Sequence, residues 1–357
     1  VEFRSPANVL SDLSGKAGAA FSWNDKDLED VPNLSNKTTG AWSKTIGSGG
    51  DYATWADMIA DMPDLIAHAV TVTIKKGTTL TEICELMNKN GLTNDAQITI
   101  QAEEYFPQSG ALPTASSATA TTLVDSSQSW AIDRFIDCWI LIVDGTGTDN
   151  GFVKITDSDA TSITVASWPG TQPDNTSRYL IVGALIDGGG VRIYGTFLEN
   201  NSLNIRFYGL GVKDSSGLGF SENFCNYIRR LYCGVYNCTN EGIYSKLVIF
   251  NENFYCGIVK NNTGNAASRA GITSWHSSML DVRGCGISDN NQYGIYVLGG
   301  ETISVNNFGD GNGNWGLYAK VSGQARILGT ECSGSSGNHS DPGTAGTAGE
   351  DQASTYA

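Results

Sequence analysis

A chain of 357 residues can form one long solenoid or two to three compact units. Only 17% of its residues are charged and 43 are glycine, a strand- and turn-rich composition. Its net charge of -15 argues against a groove for nucleic-acid phosphates, which needs clustered Lys and Arg. The longest apolar run, Cys138–Val143, is far short of the ~18 residues of a membrane span. Eight cysteines without a C-x-x-C pair and three scattered histidines give no zinc signature, and no cofactor is implied. No secretory leader is visible, which leaves secretion open.

Residues 1–40 are polar and Gly/Ser/Asn-spotted and read as an extended connector. In 41–114, Thr54 and Asp57 form a capping box, and Trp55, Met58, Ile59 and Met62 recur at helical spacing before Pro63. The spacing predicts one amphipathic helix, followed by strands at Val70–Lys75 and Gln97–Ala102. Such a helix suits a cap over an open solenoid end. Residues 115–182 hold short strands at Leu123–Val124, Cys138–Val143, Phe152–Ile155, Ser162–Val165 and Tyr179–Val182. They read as a small inserted β module with Trp130, Trp139 and Trp168 in its core.

Residues 183–332 repeat. Gly211, Gly234, Gly257, Gly286 and Gly309 recur at intervals of 23, 23, 29 and 23 residues, the long interval carrying an excursion near Gly264–Arg269. A second glycine follows each: Gly219, Gly242, Gly271, Gly294 and Gly316. This is the pattern of an all-β, right-handed parallel β-helix whose coils stack ~4.8 Å apart. The residues before the first glycines are Leu210, Cys233, Cys256, Cys285 and Phe308, with Cys332 one coil later; those after are Val212, Val235, Ile258, Ile287 and Asp310. Residues two apart in a strand share a face, so both columns are expected inside, with the cysteines as reduced filler rather than disulfides. Asp214, Asn237, Lys260, Asp289 and Asn312 form a turn column. Residues 333–357 are a low-complexity tail expected to be flexible.

Two further columns are expected to face outward. Five residues before the first glycines stand Arg206, Arg229, Glu252, Asp281 and Ser304. Two residues after the second glycines stand Ser221, Tyr244, Thr273, Tyr296 and Tyr318, with Trp275 two further along its coil. Glu222, Glu241, Asp289 and Glu301 are weaker candidates for chemistry.

Gly47-Ser-Gly-Gly-Asp-Tyr-Ala-Thr-Trp-Ala-Asp57, Leu10-Ser-Asp-Leu-Ser-Gly-Lys-Ala-Gly-Ala-Ala-Phe-Ser-Trp23, Thr122-Leu-Val-Asp-Ser-Ser-Gln-Ser-Trp130 and the Gly/Asn-rich coils resemble right-handed β-helix proteins of phage and prophage tails. The resemblance covers most of the chain. It implies a homotrimer, a virion-associated or extracellular location, and a bacterial surface polysaccharide as partner. The diagnostic motifs of the related pectate lyases and polygalacturonases are missing. Read against that family, Glu252 and Asp281 are the expected acid and nucleophile or base of a glycoside hydrolase, since such enzymes use two carboxylates on neighbouring positions. Arg206 and Arg229 would hold an acidic sugar, and Tyr244, Trp275, Tyr296 and Tyr318 would stack on sugar rings. A lyase is the second enzymatic option. The rivals are a surface ion-pair ladder on a non-catalytic binding or structural spike, with the aromatic row as a protomer contact, and a secreted bacterial polysaccharide enzyme outside any virion.

Overall fold

The computed structural model describes residues 37–350 except 88, 92–95, 107–111, 195–203, 262, 264–269, 330–331 and 341–346, and leaves aside the side chains of 278, 321–325, 337–340 and 347–350. Nearly all of the expected connector, the 264–269 excursion and most of the tail lie outside the described residues.

From Trp42 onward the backbone winds as a parallel β-solenoid of about 10 turns. Each full coil contributes a strand to three faces. The charged face includes Val70–Ile74, Gln97–Ala102, Asn204–Tyr208, Tyr227–Leu231 and Phe250–Phe254. The glycine face comprises Thr79–Leu80, Ala184–Asp187, Leu210–Lys213, Gly234–Tyr236, Gly257–Val259 and Gly286–Ser288. The aromatic face includes Cys84–Met87, Val191–Tyr194, Phe220–Asn223 and Ile243–Lys246. In later coils the strands Ala270–Arg283, Tyr293–Val305 and Trp315–Leu328 run around the corner and serve both the aromatic and the charged face.

The sequence periodicity sets the register. Gly211, Gly234, Gly257 and Gly286 pair rung to rung, and so do Val212, Val235, Ile258 and Ile287. These apolar residues are at most 1% exposed, as are Leu210, Cys233, Cys256 and Cys285. All eight cysteines are buried thiols outside any disulfide, so the stack is reduced filler. A fully buried aliphatic side chain is worth about 1.5–3 kcal/mol, so each inward column is a long hydrophobic spine.

The register slips by one residue in the coil after Gly286. Gly286 bridges to Phe308, not Gly309. Asn307 therefore continues the cysteine column, and its carboxamide oxygen accepts the Cys285 N–H at 2.9 Å. Cys332 is buried but lies against Gly294 and Gly316 instead of in that column. Asn312 also leaves its expected column. It stacks beneath Asn261 and Asn290, in a ladder in which each side-chain oxygen accepts the backbone N–H of the residue above.

The corners explain how a flat ladder turns. Asp214, Asn237, Lys260 and Asp289 adopt left-handed φ of 53–56°, as expected of a turn column. So do Phe224 and Leu247 at the second corner, and Gly209, Tyr232, Tyr255 and Gly284 at the third. Bulky residues rarely tolerate φ > 0. Here each donates its N–H to the residue just before the matching corner one coil on, as Tyr232 does to Phe254 and Leu247 to Trp275. The corner thus keeps the ladder unbroken, and stacked Tyr105, Tyr232 and Tyr255 rings line one edge.

In the chain between the early and later coils, which pair directly with each other, comes a six-stranded antiparallel sheet: Arg178–Val182, Trp139–Asp144, Phe152–Ser158, Ser162–Val165, Thr122–Val124 and Ser117–Ala118, in that order. One side encloses Leu123, Trp130, Phe135, Ile140, Ile142, Ile163, Trp168 and Tyr179. Trp139 departs from expectation: with Leu141, Val143 and Leu180 it points the other way, onto Tyr232, Tyr236, Val259 and Phe308 of the solenoid. This contact explains the repeat glycines. A Cβ on Gly234 would lie 2.6 Å from Phe152, and one on Gly257 would lie 2.4 Å from Val143. They are close-approach residues inside strands.

The predicted helix spans Trp55–Asp61 with Thr54 as N-cap, accepting the Asp57 N–H at 3.1 Å. The Glu82 carboxylate accepts the Trp55 and Ala56 N–H groups. Trp55, Met58 and Met62 join the solenoid core beside Ile46 and Leu86.

Candidate functional site

The aromatic face follows the predicted column throughout. Ser221, Tyr244, Thr273, Tyr296 and Tyr318 pair in order, as do Asn223, Lys246, Trp275, Leu298 and Lys320. Phe220, Ile243, Ile272, Ile295 and Leu317 point inward and are fully buried. The alternate residues must then point out.

These outward side chains enclose an open groove of about 360 Å³, lined by Leu218, Asn240, Glu241, Tyr244, Thr273, Trp275, Tyr296 and Leu298. Tyr244 and Trp275 meet edge to face at 6.4 Å, and the Lys246 ammonium lies 5.7 Å from the Trp275 ring centre. Trp275 is 39% exposed, which for so large a ring leaves a flat apolar surface open to solvent. Tyr296 differs from expectation: it is only 6% exposed, because Tyr293 and Tyr318 stack on it at 5.4 and 5.6 Å. Tyr293, absent from the expected row, completes this triad at 4.8 Å from Tyr318. Burial raises the Tyr244 phenol above its ordinary value, with the Glu241 charge adding to it, and burial together with its Tyr318 and Tyr293 neighbours raises Tyr296.

The charged column lies around the next corner and contributes no lining residue to the groove. Arg206, Arg229, Glu252 and Asp281 do stand on successive rungs. The fifth member is Ile303, not Ser304, a consequence of the same one-residue slip. Glu252 is bound by Arg229 and by the Tyr227 hydroxyl. Asp281 is only 5% exposed, because Arg283 clamps it with two hydrogen bonds of 2.6 and 2.7 Å. Burial, with Glu252 as second cause, pushes the Tyr227 phenol up to about 12. The structure thus aligns the two carboxylates while giving each its own arginine.

Among the weaker candidates, Glu222 lies in the interior. It is fully buried, paired with an equally buried Arg230, and accepts the Ser245 hydroxyl at 2.8 Å. Arg230 also donates to Asn251 and Asn253 at 3.0 and 2.9 Å. Alternation alone places Ile228 and Arg230 on the same inward face, but the partner sits on the adjoining face, on the strand just before it in the same coil. Among the described residues no group of three or more His, Cys, Asp or Glu is arranged to hold a metal. No helix of the described residues is long and apolar enough to cross a membrane.

No family model and no curated protein matches the chain. Among solved structures it is similar to three phage tailspikes. The tailspike protein gp49 of Pseudomonas phage LKA1 shares 9% identity over 83% of this chain and 48% of its own, with a TM-score of 0.20. Gp54 of Acinetobacter baumannii bacteriophage AP22, solved in complex with A. baumannii capsular saccharide, shares 8% over 73% and 64%, with a TM-score of 0.20. Gp61 of Pseudomonas phage phi297 shares 12% over 77% and 62%, with a TM-score of 0.18. The chain spans about half to two thirds of the length of these proteins.

Proposed function

We propose that this chain is a tail-spike-type protein of a phage or prophage that binds bacterial surface polysaccharide through the groove of the aromatic face. The observation that carries this reading is the Tyr244–Trp275–Tyr296 lining of an open groove on the aromatic face. Sugar rings present flat C–H faces, and a partly exposed Trp beside Tyr rings offers matching apolar area with polar groups at the rim. The family resemblance supports the same partner, a trimeric assembly and a place at the virion tail or outside the cell. The reading is one of binding. The Arg229–Glu252 pair between neighbouring rungs and the Asp281–Arg283 pair within one strand support a structural role for the charged column, the partly exposed first pair contributing modest energy.

A glycan array probed with the wild-type protein tests the reading. Binding to a bacterial surface polysaccharide is expected, lost in Trp275→Ala and retained in the Glu252→Gln/Asp281→Asn double variant. Release of reducing ends by wild type but not by that double variant would instead make the carboxylates the catalytic pair of a hydrolase.

A further inference from the structure

On the strand Asn204–Tyr208 the outward row is Asn204, Arg206 and Tyr208, while Ile205 and Phe207 between them are buried. Among the described residues none of these three outward side chains makes a hydrogen bond or an ion pair, and Tyr208 is stacked on Tyr105 at 6.3 Å. Arg206 stands out most. The chain has 37 Asp and Glu against 22 Lys and Arg, and Arg134, Arg178, Arg192, Arg229, Arg230 and Arg283 each lie within 4.0 Å of a carboxylate. Arg206 does not. Its rung neighbours are Thr99 on one side and, on the other, Arg229, which is already bound to Glu252. Like charges directly opposite each other on a ladder are unfavourable, so the stack from Arg206 to Arg283 keeps one positive charge unmatched in a strongly acidic protein. The Arg206 Nε is enclosed without a partner, whereas the terminal nitrogens of the guanidinium reach solvent.

We propose that Arg206, flanked by Asn204 and Tyr208, is a binding site for the carboxylate of an acidic sugar, separate from the groove of the aromatic face. A guanidinium is a planar fork of donors that matches a carboxylate, and the incoming anion would offset the repulsion between Arg206 and Arg229. The flanking carboxamide and phenol can both donate and accept, as sugar hydroxyls require of their partners. Arg229, expected from the sequence to share this task, is spent on Glu252. The site goes beyond the groove reading and does not depend on it, since no residue of the row lines the groove.

Calorimetric titration at low salt with galacturonate, galactose and acetate tests it. Wild type is expected to bind galacturonate about tenfold or more tightly than galactose or acetate, because the charged hydrogen bonds and the hydroxyl contacts act together only on the acidic sugar. Arg206→Gln should lose about tenfold toward galacturonate and nothing toward galactose, with its Tm equal or raised because the repulsion with Arg229 is gone. Arg206→Lys keeps the charge without the fork and should bind galacturonate with intermediate affinity. Trp275→Ala should bind it as wild type does. Failure to bind galacturonate, equal affinity for galactose, or an unchanged preference in Arg206→Gln overturns the assignment. Acetate bound as tightly as galacturonate also overturns it, marking an adventitious ion only. If Trp275→Ala and not Arg206→Gln abolishes galacturonate binding, the sugar lies in the groove, and this assignment falls while the groove reading stands. A blank glycan array with galacturonate still held through Arg206 would do the reverse.

Discussion

The glycine face and the aromatic face are built from the same coils, yet their outward residues are opposites. On the first, Gly211, Gly234, Gly257 and Gly286 carry no side chain, because Leu141, Val143 and Phe152 of the antiparallel sheet occupy that space. On the second, Tyr244, Trp275, Tyr296 and Tyr318 stand on a ladder of the same kind with an open groove over it. The parallel backbone treats both faces alike. The size of the outward residue follows what lies over each face: here the glycine column marks an internal docking surface, and the aromatic column lines an open groove.

The largest expected effect lies beneath both faces. Arg230→Met would leave Glu222 buried without its ion pair, at a cost of about 3–5 kcal/mol, and the companion change Glu222→Leu should restore much of it. Urea denaturation of the single and double variants checks this. Next comes the covered face: Gly257→Ala drives a methyl into Val143 and should cost about 1–3 kcal/mol, whereas the smaller-side-chain change Tyr244→Ala on the open face should cost less. Equal losses would break the comparison between the faces.

Alkaline titration sharpens it further. The Tyr236 hydroxyl donates to the Asp149 carbonyl of the docked sheet at 3.1 Å, and burial pushes its phenol up to about 12 from 10.0. Because the folded-state value is raised, the stabilisation is complete below about pH 10 and is lost as pH rises through about 12. Tyrosinate absorbance and unfolding should therefore rise together in that window, and Tyr236→Phe should lessen the loss. The smallest stability effect is expected for Trp275→Ala, within about 1 kcal/mol, since its ring is already partly in water.

Much of this was legible in the sequence. The repeat of landmark glycines, with its intervals of 23 and 29 residues, puts Cys233, Cys256 and Cys285 in one stack and Tyr244, Thr273 and Tyr296 in another. What period counting misses is a change of coil length. One residue fewer before Phe308 moved Ile303 into the place expected for Ser304 and put Asn307 under Cys285. Repeat arithmetic cannot see which face is covered either, so the landmark glycines carried no hint of Phe152 or Val143. Left-handed corners at Tyr232, Tyr255, Phe224 and Leu247 were hidden because those residues carry no turn signature. Rung-to-rung hydrogen bonds, not local preference, impose that geometry. The Glu222–Arg230 pair stayed hidden because its partners come from different faces and meet only across the interior.

A crystal structure of the protein soaked with an oligosaccharide from a polysaccharide it binds tests the central claim most directly. Sugar rings lying against Trp275 and Tyr244, across the rungs that carry Thr273 and Tyr296, are the predicted result. An oligosaccharide seated on the Arg206–Asp281 column, with the groove empty, would contradict it.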